Sequence, residues 1–410
     1  MKNIINNIKS LFSKMDKTLF FLTVLFFLFG LLNIVTASSR EAVVRYDLST
    51  YHYFYKQSEM LIVGLILSYI ILNMKTKAYN NLIIFAYGIV LFLVLALFPF
   101  GIEVNGAKNW LPIPLIGTIQ PSELSKPVMI ILLAVLFEKY QKKFRSNDPK
   151  RYEKIGIILI LAFLIPILTF LQKDLGSSLI MLGVFGILFL ASSIKKQDKF
   201  NTIVLIIVAG IIGLGAIYFR QGYILSEAQM ARFDFFNPCS KYETTGYQVC
   251  NGFIAINDGG MFGLGIGKSK QKYSYIPEPH TDSIFAIIAE EYGVLGTTFI
   301  FIGYILVLFR ILKISMNTTN IKNRLISLGI ASYIFMHIFI NLGGLFGVIP
   351  LTGVPLPFLS YGGTYAISLM CSLAVVQRIH IENKIEKGKK ILNKWSLKRQ
   401  NFNDFFYILN

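Results

Sequence analysis

Between Leu19 and Arg378 the chain is a succession of apolar runs separated by short polar stretches. Runs of roughly 17–25 mostly apolar residues match the hydrocarbon thickness of a bilayer. AVILMFWYC residues make up 54% of the sequence and DEKR only 15%, against about 25% charged residues in an ordinary soluble domain. These blocks predict a polytopic, all-α membrane protein with ten spans, at about 19–35, 60–73, 80–98, 122–137, 155–171, 175–193, 201–219, 283–309, 325–348 and 360–378. The first run is read as an uncleaved span rather than a signal peptide, because nine more follow it. The predicted organisation is an N-terminal tail over 1–18, a transmembrane domain over 19–380 and a basic C-terminal tail over 381–410. The domain includes a long loop, 220–282, between the seventh and eighth spans.

The net charge of +18 suggests nucleic acid in a soluble protein; here topology explains it. With the N-terminus inside, 28 of the 40 Lys and Arg fall on cytoplasmic segments, the bias expected of inward-facing loops. Both termini are then cytoplasmic, the basic tails lie against anionic headgroups, and no nucleic-acid partner is expected. The long loop and the 99–121 segment fall outside. The cytoplasmic side has no G-x-x-x-x-G-K-[ST] loop, so chemistry is expected at the outer face, driven by the substrate rather than by ATP.

Four polar clusters interrupt this pattern. In the first, Trp110 follows Gly106-Ala107-Lys108-Asn109, and Glu123 and Lys126 stand three apart in Gln120-Pro121-Ser122-Glu123-Leu124-Ser125-Lys126, where they can share a helix face. Charges at such depth are costly unless paired, so the pair serves either packing or substrate. The second cluster, Gln172-Lys173-Asp174, is a short external turn whose Asp174 reads as a helix N-cap. Its Lys173 can snorkel or attract an anion. The third, Pro277-Glu278-Pro279-His280-Thr281-Asp282, precedes a span and places Asp282 in the first helical turn. Glu290 lies about 12 Å further along at 1.5 Å per residue, too far to share one bond with Asp282. One carboxylate therefore acts alone, or Asp282 works with Glu278. The fourth, Gly353-Val354-Pro355-Leu356-Pro357-Phe358-Leu359-Ser360-Tyr361-Gly362-Gly363-Thr364, reads as irregular backbone at membrane depth, tolerated only against protein or a water-filled cavity. Its N–H groups, around Ser360 and Gly362, suit an oxyanion. Arg232 and Lys268 make the long loop locally basic, and arginine clamps phosphate with two parallel bonds. Cys239 and Cys250 share that loop, where a disulfide is allowed. No Cys/His metal spacing is present.

Taken together, G-A-K-N-W-L, Q-P-S-E-L-S-K, Q-K-D-L-G-S-S, the run from G-I-G-K-S-K through I-P-E-P-H-T-D-S to A-E-E-Y-G, and G-V-P-L-P-F-L-S-Y-G-G-T resemble the shape, elongation, division and sporulation (SEDS) family of bacterial cell-wall polymerases over about residues 16–380. The resemblance implies a ten-helix glycosyltransferase that polymerises lipid II at the outer leaflet and releases undecaprenyl diphosphate. It implies Asp282 as the essential aspartate, with Glu278 beside it, and Trp110, Glu123 and Lys126 as matches to family motifs. Arg232, His280, Lys268, Ser360 and Gly362 complete the expected substrate-binding set. No cofactor is required, though a divalent cation, Mg2+ or Mn2+, is allowed as a phosphate counterion. The expected partners are lipid II, a class B penicillin-binding protein acting as transpeptidase, and other division or elongation membrane proteins. The F-x-x-P and G-I-G-K-S-K-Q-K stretches look more like the division branch, FtsW, and G-V-P-L-P-F more like the elongation branch, RodA; the balance leans to FtsW. This chain departs from the family at Lys173, where proline is usual, at Cys239, where tryptophan is frequent, and at Leu264. The rival readings are a lipid II flippase and a non-catalytic division scaffold.

Overall fold

The computed structural model describes residues 2–104, 106–114, 117–223, 238–241, 246–273 and 276–408. A short helix α1 (Lys2–Lys14) leads into α2 (Lys17–Tyr46), α3 (His52–Asn73) and α4 (Tyr79–Phe100). Three short strands follow, β1 (Ile102–Val104), β2 (Ala107–Ile113) and β3 (Gly117–Ile119), paired antiparallel in the order β1-β2-β3. The remaining helices are α5 (Pro121–Arg145), α6 (Lys150–Leu171), α7 (Leu175–Ala191), α8 (Lys196–Gln221), α9 (Tyr247–Gly259), α10 (Ile284–Met316), α11 (Ile321–Leu345) and α12 (Gly363–Ile408). The long loop thus carries a helix of its own, and the 102–119 segment a small sheet that caps one end of the bundle.

The expectation of ten spans does not hold: among the described residues, eight helices are long and apolar enough to cross a membrane. The two exceptions fall at 122–137 and 175–193. Helix α5 has Glu123 and Lys126 near one end and Glu138, Lys139, Lys142, Lys143 and Arg145 near the other, so its uncharged stretch, 127–137, is too short. Helix α7 is apolar but has 17 residues, about 25 Å at 1.5 Å per residue against about 30 Å of hydrocarbon. Both pack against α11 inside the bundle. The eight long apolar helices make the chain a polytopic membrane protein.

The bundle is apolar outside as well as inside, as lipid solvation demands. Ile84, Phe85 and Phe92 of α4 and Leu205, Ile211 and Ile212 of α8 face outward. Helix α11 is central, with Tyr333, Ile334 and His337 wholly enclosed. Side chains satisfy the helix starts: Asp16 accepts from the Leu19 amide, Asp174 from Ser177 and Asn320 from Asn323. Asp16 also pairs with Arg310, and Gln377 bonds both the amide and the carbonyl of Asp16, joining α2, α10 and α12.

Helix α10 is not continuous. Gly293 has φ 65° and ψ −170°, a conformation essentially confined to glycine. The break lets the 260–265 loop pair with the helix backbone: the Leu264 amide donates to the Glu290 carbonyl at 2.9 Å, Gly265 to Glu291 at 3.0 Å, and Val294 to Gly260 at 2.9 Å. A Cβ on Gly293 would meet the Gly263 nitrogen at 2.4 Å. Gly293→Ala is therefore expected to cost more than the strain of the dihedral alone, about 1–3 kcal/mol. The check is a clear drop in the detergent-solubilised melting temperature; an unchanged melt contradicts this role of the glycine.

Candidate active site

At the end of the bundle where α2, α4, α6 and α11 finish and α3, α5, α7, α10 and α12 begin, a cavity of about 410 Å³ opens, within the usual range of about 300–1,000 Å³ for small-molecule sites. Its walls come from the end of α2 (Arg45), the sheet (Val104, Ala107, Asn109, Trp110), the α6–α7 turn (Lys173, Asp174), the start of α9 (Gln248), the segment before α10 (Glu278, Thr281, Asp282) and the irregular stretch before α12 (Thr352, Gly353, Gly362).

Asp282 lies on this wall, not within the helix as expected: α10 begins at Ile284. The turn before it is fixed by backbone. The Thr281 amide donates to the Glu278 carbonyl at 3.0 Å, and Glu278 sits at φ 45°, an uncommon value outside glycine. The Thr281 hydroxyl is 2.7 Å from the Glu278 carbonyl and 3.2 Å from Asp282 Oδ1, and its single proton serves only one of them. Gln248 Nε2 donates to Ser283 Oγ at 2.9 Å and, at 3.5 Å, weakly to Asp282 Oδ1. Among the described residues no cation stands within 4 Å of the Asp282 carboxylate. Burial without a counter-charge, assisted by neighbouring Glu278, raises its pKa to about 6; the Thr281 hydroxyl opposes the shift. A carboxylate so placed is ionised at neutral pH yet close to its pKa, as a general base should be.

The other expected residues divide. Trp110, Glu278 and Gly362 line the cavity with Asp282. Glu123 and Lys126 do not. Lys126 Nζ donates to Glu123 Oε1 at 2.6 Å and lies 3.2 Å from His337 Nε2, and both members of the pair are 1% exposed. His337 Nδ1 is 3.2 Å from the carbonyl of Pro355, which is on the cavity wall, so the pair meets the site through one imidazole. His280 is buried behind the wall with Nδ1 3.4 Å from Glu41 Oε2 and its ring 4.1 Å from that of Tyr53. Ser360 Oγ lies between the Leu356 amide and the Thr281 carbonyl. Lys268 stands in the 260–272 loop, away from the walls, and Arg232 lies outside the described residues. Glu290, on the same helix as Asp282's neighbours, accepts from the Lys270 and Gln271 amides at 2.8 and 3.2 Å and so anchors that loop. Cys239 and Cys250 are joined as a disulfide, which ties the segment before α9 to the helix bearing Gln248.

Asp174 is more than a cap. Its second oxygen accepts from Asn109 at 3.1 Å and Gln120 at 3.0 Å, drawing the sheet and the start of α5 to α7. The sequence reading also passed over Arg45, Gln248 and Thr352. Arg45 had a signal, a cation at the outer end of an apolar run; Gln248 and Thr352 had none, because only tertiary contact brings them to the wall. Three wall residues hold polar atoms that are enclosed without a protein partner, Asn109 Oδ1, Thr352 Oγ1 and Tyr365 Oη. For a metal the donors fit poorly: among the described residues no three His, Cys, Asp or Glu converge. A divalent cation here would depend on substrate oxygens for most of its ligands.

A family model described as Cell cycle protein, of FtsW, RodA and SpoVE proteins, matches residues 16–385. The chain belongs to this family. It is 35% identical over 389 residues to the probable peptidoglycan glycosyltransferase FtsW of Bacillus subtilis (strain 168), covering 93% of this chain and 94% of that one. It is 31% identical to stage V sporulation protein E of the same organism, over 89% and 96% of the two chains. Among solved structures, a chain described under structural coordination of polymerization and crosslinking by a peptidoglycan synthase complex superposes with a TM-score of 0.69 at 23% identity, covering 90% of this chain and 98% of that one. The rod-shape-determining protein RodA of Thermus thermophilus gives 0.63 at 23% identity, over 90% and 97%. At that identity the superpositions establish the fold. The family assignment agrees with the motif blocks, and the FtsW relatives with the lean toward the division branch.

Two stability effects follow. Removing one partner of a buried ion pair leaves an uncompensated charge, so Lys126→Met is expected to cost about 3–5 kcal/mol. Lys126→Met with Glu123→Gln should recover much of it in thermal melts, whereas equal losses for single and double variants would contradict the pairing. Asp282 has the opposite sense. Its pKa rises from 3.8 in the unfolded chain to about 6, so folding is opposed by its ionisation, fully above about pH 6 and not at all below the unfolded value. Asp282→Asn should therefore melt higher than the parent at pH 8, with the difference shrinking to nothing toward pH 4.

Proposed function

We propose that the protein is a peptidoglycan glycosyltransferase that polymerises lipid II at the outer face of the cytoplasmic membrane, with Asp282 as general base. The observation that carries the reading is an unpaired, raised-pKa carboxylate on the wall of a cavity of substrate size. Family membership and the peptidoglycan glycosyltransferase relatives supply the reaction class.

The outer-face location is supported from two sides. The end of the bundle opposite the cavity is strongly basic, with Lys139, Lys142, Lys143 and Arg145 closing α5 and Lys195, Lys196 and Lys199 opening α8, as expected of a cytoplasmic face. The Cys239–Cys250 disulfide lies at the cavity end, and disulfides persist in oxidising compartments. Both termini then lie inside.

In this reading a sugar hydroxyl of the acceptor gives its proton to Asp282 while its oxygen bonds the anomeric carbon of the donor. The anomeric carbon–oxygen bond to the lipid diphosphate breaks and the diphosphate leaves with the electron pair, so direct displacement inverts the anomeric centre. The diphosphate is a good leaving group and needs positive charge rather than a strong acid. Glu278, beside Asp282, raises its basicity. Trp110, on the cavity wall, offers an apolar face to a sugar ring. Cross-linking the new strand requires acyl transfer by another protein, and a class B penicillin-binding protein is the proposed partner.

Purified protein with lipid II in detergent, where there is no leaflet to cross, separates this reading from a flippase. Asp282→Asn is expected to lower polymerisation by about two to four orders of magnitude without unfolding. Because the base must be ionised, wild-type turnover should rise with pH through about 6 and fall about tenfold per unit below it. Near-normal turnover in Asp282→Asn, or a pH-independent rate from 5 to 8, would reject the role.

A further inference from the structure

We propose that Arg45 and Lys173 form an anion subsite of the cavity that holds the diphosphate of the lipid-linked substrate. The identity of that substrate rests on the polymerase reading; the anion site rests on the charge and geometry of the cavity.

Three carboxylates line the cavity, Asp174, Glu278 and Asp282, and among the described residues only two cationic side chains, Arg45 and Lys173. A polyanion entering this space meets repulsion from the first set, so those two cations must supply its attraction. Asp174 caps α7 and accepts from Asn109 and Gln120, so its oxygens are turned to protein donors, with Lys173 adjacent in the chain. Lys126, a motif cation that the sequence offered to packing or substrate, is enclosed with Glu123 and His337 and does not reach the walls.

Arg45 is built for the task. One of its five donors, on Nη1, is 3.0 Å from Glu41 Oε1, which fixes the guanidinium from behind. Glu41 is buried and its other oxygen lies 3.4 Å from His280 Nδ1, so the same carboxylate steadies both the arginine and the segment that carries Asp282. The Arg45 side chain is 58% exposed, leaving the rest of its planar fork free for oxyanion, the geometry in which arginine binds phosphate bidentately. Lys173 approaches from the α6–α7 turn. It is exposed, has no acidic partner within 4 Å among the described residues, and holds φ 65°, a left-handed backbone costing about 1–2 kcal/mol for a side chain of this kind. The two cations come from separate elements and line the same cavity.

The test is direct binding, with no glycan formed. Farnesyl diphosphate and inorganic pyrophosphate are titrated by calorimetry into the purified full chain in detergent, as wild type, Arg45→Gln, Arg45→Lys and Lys173→Gln. Losing a charge-assisted bond should weaken farnesyl diphosphate by about ten- to a hundredfold in each Gln variant, and Arg45→Lys, which keeps the charge but not the fork, should fall between wild type and Arg45→Gln. Pyrophosphate binding with the same ranking supports recognition of the diphosphate alone; binding of farnesyl diphosphate only, with that ranking, supports the subsite with the lipid chain required. Unchanged affinity in both Gln variants, or no binding by wild type, overturns the proposal. If Arg45-dependent binding persists in a protein that makes no glycan from lipid II, the polymerase reading fails and the anion site stands.

Discussion

Asn341 donates from its amide nitrogen to the carbonyl of Asp282 and to that of Val354, each at 2.7 Å, and the site depends on that pair of bonds. The segments it joins, 276–283 and 350–362, are non-helical yet largely buried. Backbone of this kind survives in a membrane protein only where other protein groups satisfy it. Here the Tyr361 amide donates to the His280 carbonyl at 2.8 Å, Tyr304 to Pro357 at 2.6 Å and the Gly362 amide to Gln57 at 3.2 Å. Gly30 permits the contact from α2, since a Cβ there would meet the Phe358 carbonyl at 2.1 Å. The aspartate is held by its backbone, while its carboxylate meets only neutral donors and no cation among the described residues.

That division explains the electrostatics of the cavity. Most buried charges in the molecule have an opposite charge in contact: Glu123 with Lys126, Glu291 with Lys272, Asp198 with Arg151. Asp282 has none within 4 Å among the described residues. A carboxylate partnered by a cation is a weak base, and one kept from water without a cation is a stronger one. The paired charges brace the helices. Asp174 and Glu290 also lack a cation among the described residues, but their oxygens are taken up by neutral protein donors. From side chains Asp282 has only the longer contacts of Thr281 and Gln248, and it is available for chemistry.

Much of this was legible in the sequence, for definite reasons. Apolar runs of bilayer length identify a membrane protein without further help, and proline and glycine around Asp282 and Gly353 marked the irregular segments. The count of spans was less legible, because α5 and α7 have apolar runs much like their neighbours' and differ in flanking charge and in length. The sequence pattern put Asp282 in the first turn of the helix that carries Glu290. The helix begins two residues after Asp282, and Glu290 turns instead to the 269–271 loop, a tertiary contact that periodicity does not encode. Gln248 and Thr352 are ordinary residues locally and acquire meaning only where six elements meet at the cavity. Lys126 shows the converse, a motif residue whose charge is neutralised inside the bundle.

The central claim is that a lipid-linked sugar lies in this cavity with its reacting carbon beside Asp282. A cryo-electron microscopy structure of the full chain with lipid II bound tests it most directly. The account predicts sugar density between Trp110, Asp282 and Gly353, with a hydroxyl or anomeric carbon within about 3.5 Å of the Asp282 carboxylate. Lipid II resolved only elsewhere on the bundle, with this cavity closed to it and Asp282 turned away, would contradict it.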